Sequence, residues 1–200
     1  AIALTDGQGR TRTFGGTLSP AGGNFEAPVP QGTHKVVGAF QGLSRARSDA
    51  RRYPAIDPLD SWSNYDGIVD PEAVSRLRQL LRHGNDVQQM MTVVGEEGTS
   101  IDDFTISLKA DFFDNCYLQQ NAFDDVDGAT PSERQKFVFQ KLLEVIDLDF
   151  ELSTKSAVRN TMLEVTDLFR NWNYSPADSA DYRRWLAEID QFTLQLHTFR

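Results

Sequence analysis

From residue 67 onward the chain repeats one pattern. A capping residue is followed by apolar side chains three and four positions apart, and then by a break. Pro71 can occupy the first turn of a helix carrying Val74, Leu77, Leu80 and Leu81. The His83-Gly84-Asn85 triplet is expected to interrupt it, after which Val87, Met90, Met91 and Val94 resume at i, i+3, i+4 and i+7. Gly95–Gly98 closes that segment. Ser100 with Asp103 three residues later reads as a capping box with Asp in place of Glu, leading into Phe104, Leu108 and Phe112. Thr130-Pro131-Ser132-Glu133 combines a cap, a proline at the first helical position and an acid after it. Its helix presents Phe139, Leu142, Leu143 and Ile146. Two further stripes follow: Val158, Met162, Val165, Phe169 and Trp172, then Tyr182, Trp185, Leu186, Ile189 and Leu196. Stripes of this kind are core faces, so the pattern predicts a mainly α fold built as a helical bundle.

The front of the chain is different. Most of the 14 glycines and five of the eight prolines precede residue 66, with β-compatible runs at Arg12-Thr13-Phe14 and Lys35-Val36-Val37. This shift divides the chain into residues 1–66 and a helical domain over 67–200. A net charge of −9 argues against a nucleic-acid partner, because phosphate binding needs concentrated Lys and Arg. No apolar run approaches the roughly 20 residues that span a bilayer, so direct membrane insertion is not expected. Cys116, the single cysteine, leaves no disulfide framework, which fits a cytoplasmic setting. The start at Ala1 suggests a stretch of a longer protein.

Self-sufficient chemistry is hard to find. There is no Gly-x-x-x-x-Gly-Lys-Ser/Thr loop and no Gly-x-Ser-x-Gly elbow. His34, His83 and His197 stand far apart. Asp124-Asp125-Val126-Asp127-Gly128 lacks the ligand spacing and terminal Glu of a calcium loop and reads as a solvated turn. No catalytic residue and no metal ligand is therefore assigned.

Four segments, in order, resemble the catalytic A subunit of V/A-type ATP synthases. They are GTLSPAGGNFEAPVPQGT at 16–33, RRYPAIDPLDS at 51–61, GEEGTSIDD at 95–103 and YLQQNAFDDVD at 117–127. The second is shared with the β subunit of F-type enzymes, whereas the fourth leans to the V/A type. The resemblance implies the C-terminal helical bundle domain of a rotary ATPase catalytic subunit, preceded by a short α/β remnant of the nucleotide-binding domain in residues 1–66. The parent subunit would couple ATP hydrolysis or synthesis to proton or sodium transport, using ATP or ADP with Mg2+. Non-catalytic B subunits and central-shaft subunits would be its partners, with membrane association only through the complex. Residues 1–200 on their own are expected to hydrolyse no ATP and to hold no bound nucleotide.

The resemblance also implies residue roles. Tyr53 matches the aromatic that stacks on adenine, with Phe123 and Tyr117 bracketing the other side of the slot, and stacking suits the two π faces of a purine. Gln119 and Gln120 would hydrogen-bond the adenine edge or cap a helix end. Glu96, Glu97, Asp102 and Asp103 would form the acidic turn facing the central shaft, or else a solvated cap. A free-standing helical adaptor that binds only proteins is the alternative reading, and a non-catalytic α-type subunit is a third.

Overall fold

The computed structural model describes residues 2–5, 11–17, 32, 35 and 37–198. Nearly all of the 16–33 segment therefore lies outside the described residues, as does Val36, while Lys35 and Val37 on either side of it are not in a strand, Lys35 lying in a turn. The chain divides into two compact units. One comprises residues 1–51 and 55–66, the other 52–54 and 67–200.

In the first unit β1 (Ile2–Thr5) pairs antiparallel with β2 (Thr11–Phe14), Ile2 opposite Phe14 and Thr5 opposite Thr11. β3 (Ala39–Phe40) pairs antiparallel with β4 (Trp62–Ser63). Between them lies the short helix α1 (Arg45–Asp49), capped by the Ser44 hydroxyl, which accepts from the Arg47 N–H. A bridge joins Leu43 to Ile56, and the Asp57 N–H donates to the Gly42 carbonyl at 2.8 Å. Asp57 in turn accepts from the N–H groups of Leu59 (2.8 Å) and Asp60 (3.2 Å), a side-chain-closed turn that explains an aspartate before Pro58. Gly38 permits the Tyr65 ring to lie against the backbone, since a Cβ there would sit 2.4 Å from its hydroxyl.

The second unit is the helical body: α2 (Pro71–Val94), α3 (Ile101–Phe113), α4 (Ser132–Ile146), α5 (Lys155–Tyr174) and α6 (Ala180–Thr198). Helix α2 packs along α3, α3 along α5, and α5 along α6. Asp70 caps α2 with Pro71 at its first position, and the Ser100 hydroxyl both accepts from Asp103 N–H and donates to the Asp103 carboxylate.

Two expectations need correcting. Helix α2 is not interrupted at His83-Gly84-Asn85 but runs on for 24 residues. Gly84 is buried where α2 and α3 approach, and a Cβ there would stand 2.4 Å from the Ala110 Cβ. The glycine is a packing notch rather than a stop. Likewise Thr130 does not cap α4. Pro131 occupies the cap position, while the Thr130 hydroxyl donates back to the Asp127 carbonyl.

The core is aromatic at its centre. Phe112 meets Phe169 edge-on at 5.1 Å, Phe169 meets Trp172 at 5.8 Å, and Phe137 and Tyr182 close on Trp172. All five residues of the α5 stripe are buried. On α4 the buried face is Val138, Phe139, Leu142, Val145 and Ile146, with Leu143 at its margin. No helix among the described residues is long and apolar enough to cross a membrane.

Candidate functional site

Helix α3 does not end cleanly. Its last turn widens into a π-helical turn at Asp114–Leu118, and the backbone becomes extended at Gln119. Such turns relax the i→i−4 ladder and often accompany function. Here the turn delivers Tyr117, Gln119 and Gln120 to one side of the helical body.

The loop that follows is fastened by its own side chains. Asp124 accepts from the N–H groups of Val126 and Asp127, each at 2.9 Å. The Asp127 carboxylate accepts from Asn121 N–H at 2.6 Å, and Asn121 accepts from Phe123 N–H at 3.1 Å. These bonds account for Asp124 and Asp127 as turn formers. Burial pushes the Asp127 carboxyl above the usual carboxylate range, against the Asn121 hydrogen bond that holds it down.

Beneath the loop is a pocket of about 180 Å³. Its walls include Tyr117, Gln119, Gln120, Gln135 and Asn173. The amide nitrogens of these four polar residues donate to the protein: Gln119 to Asn115, Gln120 to the Asp127 carbonyl, Gln135 to the Thr130 carbonyl and Asn173 to the Cys116 carbonyl. Their side-chain oxygens are left as acceptors. Cys116, at the pocket wall, is buried, and that burial raises its thiol well above the ordinary range, so it remains a thiol.

Tyr53 is brought to this loop through its backbone. Its carbonyl accepts from Gln120 N–H at 2.8 Å, while its side chain is 54 % exposed. Phe123 is fully exposed and lies three residues past Gln120, about 11 Å of chain at most. Tyr117 is already engaged: it stacks on Phe113 at 5.7 Å and makes a T-shaped contact with Phe139 at 5.3 Å. Burial raises its phenol, which stays protonated.

The residues before Tyr53 escaped the sequence reading. Arg52 forks onto two carboxylates, Asp111 at 3.1 Å and the buried Asp114, and Gln88 donates to the second oxygen of Asp111 at 3.0 Å. Burial alone would lower the Arg52 pKa, yet the two carboxylates more than offset it and raise it. No local pattern announces a bond between residues 62 apart in sequence.

Beyond the C-terminus of α2, the acidic residues behave individually. Glu96 pairs with Arg159 and its carbonyl accepts from Lys155. The hydrogen bond from Arg159 lowers the Glu96 pKa. Asp103 serves the Ser100 cap and lies 3.7 Å from His83. Glu97 and Asp102 are exposed. Beside them α2 exposes Met90, Val93 and Val94, of which Met90 and Val94 belong to the stripe expected in the core. Lys155 and Arg159 could have been suspected, because two cations at a helix N-terminus oppose its dipole unless an anion meets them.

Among the described residues no cluster of three or more His, Cys, Asp or Glu side chains is placed to hold a metal ion.

Comparison with known proteins supplies the context. Residues 71–170 match the family model described as the C-terminal domain of V and A type ATP synthase. The V-type ATP synthase alpha chain of Treponema denticola is 52 % identical over 182 residues, covering 91 % of this chain and 31 % of that protein. That of Borrelia duttonii is 50 % identical over 175 residues, covering 88 % and 30 %. The chain thus spans about a third of the length of the curated relatives it matches. Among solved structures, an ATP synthase subunit NeqB from Nanoarcheaum equitans aligns with TM-score 0.55 at 20 % identity, over 66 % of this chain and 35 % of that one, a likeness of fold.

Proposed function

The chain belongs to the V- and A-type ATP synthase family, and from that premise we propose that it forms part of the adenine pocket and the shaft-facing arm of a catalytic A subunit. In this reading Tyr53 and Phe123 provide aromatic faces for a purine, with Tyr117 bracketing the glutamines of the slot. The Gln119 and Gln120 oxygens accept from its exocyclic amine. The phosphates, Mg2+ and phosphoryl chemistry belong to other parts of the parent subunit, which turns over ATP coupled to proton or sodium movement. Its partners are the B and shaft subunits of the complex.

One observation carries the reading. Two large aromatics, Tyr53 and Phe123, stand exposed on one compact unit, and the Tyr53 carbonyl takes the N–H of Gln120, three residues before Phe123. The acceptor-rich pocket, lined by Tyr117, Gln119 and Gln120 but not by Tyr53 or Phe123, suits the N6 amine of adenine better than the carbonyl of guanine at the same edge.

The arm reading rests on the mixed surface at the end of α2, where Met90, Val93 and Val94 adjoin the acidic turn. Shape and apolar contact dominate there, since an exposed ion pair contributes little by itself.

The test is steady-state kinetics of the assembled complex. Tyr53→Ala raises the KM for ATP about tenfold, the loss expected for one stacking face, and changes kcat less. A large fall in kcat with KM unchanged contradicts the stacking role.

A further inference from the structure

We propose that Arg52 is a positioning residue that fixes Tyr53 to the helical body, so that the aromatic moves with α3 and the π-turn. The inference rests on the base-pocket reading of Tyr53 and adds the residue that makes it operate.

Three observations converge. First, residues 52–54 group with the helical unit although the chain on either side of them belongs to the other unit. Second, the attachment has two independent points. The guanidinium of Arg52 spans Asp111 and Asp114, one turn apart at the end of α3, and the next residue's carbonyl takes the Gln120 N–H beyond the π-turn. Arg52 and Tyr53 thus bracket the π-turn from outside. Third, the backbone immediately before the fork is unfavourable: Arg51 has φ +56°, a region that a non-glycine residue adopts only when its surroundings over-determine it.

The chemistry of the fork suits the task. Asp114 is buried, with a side chain 3 % exposed, and an unpaired carboxylate there would be costly. Asp111 is also held by Gln88 from α2, so its orientation does not rest on Arg52 alone. A planar guanidinium can satisfy both carboxylates at once, whereas an ammonium cannot hold the same two directions with a rigid plane. The geometry therefore prescribes where the following residue begins. With its carbonyl also fixed, Tyr53 has little backbone freedom left, so the two anchors set the point from which its side chain projects.

The experiment is made in the full-length subunit within its complex, with two readouts: hydrogen exchange at the Gln120 amide without nucleotide, and KM against kcat for ATP. Arg52→Gln should speed Gln120 exchange at least tenfold and raise KM about tenfold with kcat nearly kept, as expected for losing charge-assisted hydrogen bonds. Arg52→Lys, which keeps the charge beside Asp114, should recover only part of both effects. If Arg52→Gln fails to fold, Asp111→Asn removes one limb of the fork while leaving Asp114 paired, and should show smaller shifts of the same sign. Unchanged Gln120 exchange and unchanged KM in folded variants, with Tyr53→Ala still raising KM, overturn the anchor and leave the base pocket standing. Faster exchange in Arg52→Gln with KM indifferent to Tyr53→Ala upholds the anchor and removes the base-pocket reading.

Discussion

Asp127 does two jobs in the loop that follows the π-turn: its carboxylate accepts from Asn121 N–H, and its backbone carbonyl accepts from the Gln120 side-chain amide. Burial raises its pKa in the folded protein above that in the unfolded chain. The folded state therefore holds the proton more tightly. That contribution to stability is present below the ordinary carboxylate range and is lost as pH rises through the raised folded value. Asp127→Asn keeps an acceptor oxygen and removes the charge. Thermal melts should show the variant gaining on the wild type at pH 7 and matching it near pH 3; a variant equally displaced at both pH values contradicts the assignment. The aspartates of this run were legible as turn residues, because Asp closes turns with its own side chain. Arg52 was not, because its meaning depends on carboxylates that only folding brings near. Tyr53 and Phe123 could be singled out as aromatics in distinctive runs, yet the tie between Tyr53 and Gln120 is a backbone bond that no side-chain pattern encodes.

Among the elements, α2 shows how one glycine can have opposite meanings. In isolation Gly84 weakens a helix, and between His83 and Asn85 it read as a break. In the bundle it admits the Ala110 methyl, so the closeness of α2 and α3 depends on it. Gly84→Ala would improve helix propensity and still destabilise by about 1–3 kcal/mol through overpacking. Gly84→Ala with Ala110→Gly should recover most of the loss, and denaturant unfolding of both variants measures it. A stabilised single variant would contradict the close-packing account. Caps were readable where the side chain and its target are local, as at Asp70 and Ser100. Thr130 misled because a competing carbonyl, that of Asp127, captures its hydroxyl. The last turns of α2 continue the apolar spacing beyond the core, which periodicity cannot distinguish from burial. In the assembled complex, Glu96→Ala should leave coupled activity nearly unchanged, whereas Val93→Asp with Val94→Asp should impair it. Equal loss from both would contradict the primacy of shape in the arm.

At the scale of the whole molecule, the helical unit is organised around the contact of Phe112, Phe169 and Trp172, to which α3 and α5 contribute directly and α4 and α6 through Phe137 and Tyr182. Phe169 is fully buried, so Phe169→Ala should cost about 3–5 kcal/mol in denaturant unfolding. A cost below 1 kcal/mol would mean that the cluster is not the centre of the fold. The helical character of this unit was legible because each stripe repeats over several turns, most completely on α5. Which helices touch was not, since every apolar face would satisfy the same periodic rule. The central claim is that this helical body carries one side of an adenine pocket next to the π-turn. Photolabelling of the full-length subunit in its complex with 2-azido-ATP tests it most directly. The account predicts covalent label on peptides containing Tyr53 and residues 117–123, suppressed by excess ATP; label confined to peptides elsewhere in the subunit would contradict it.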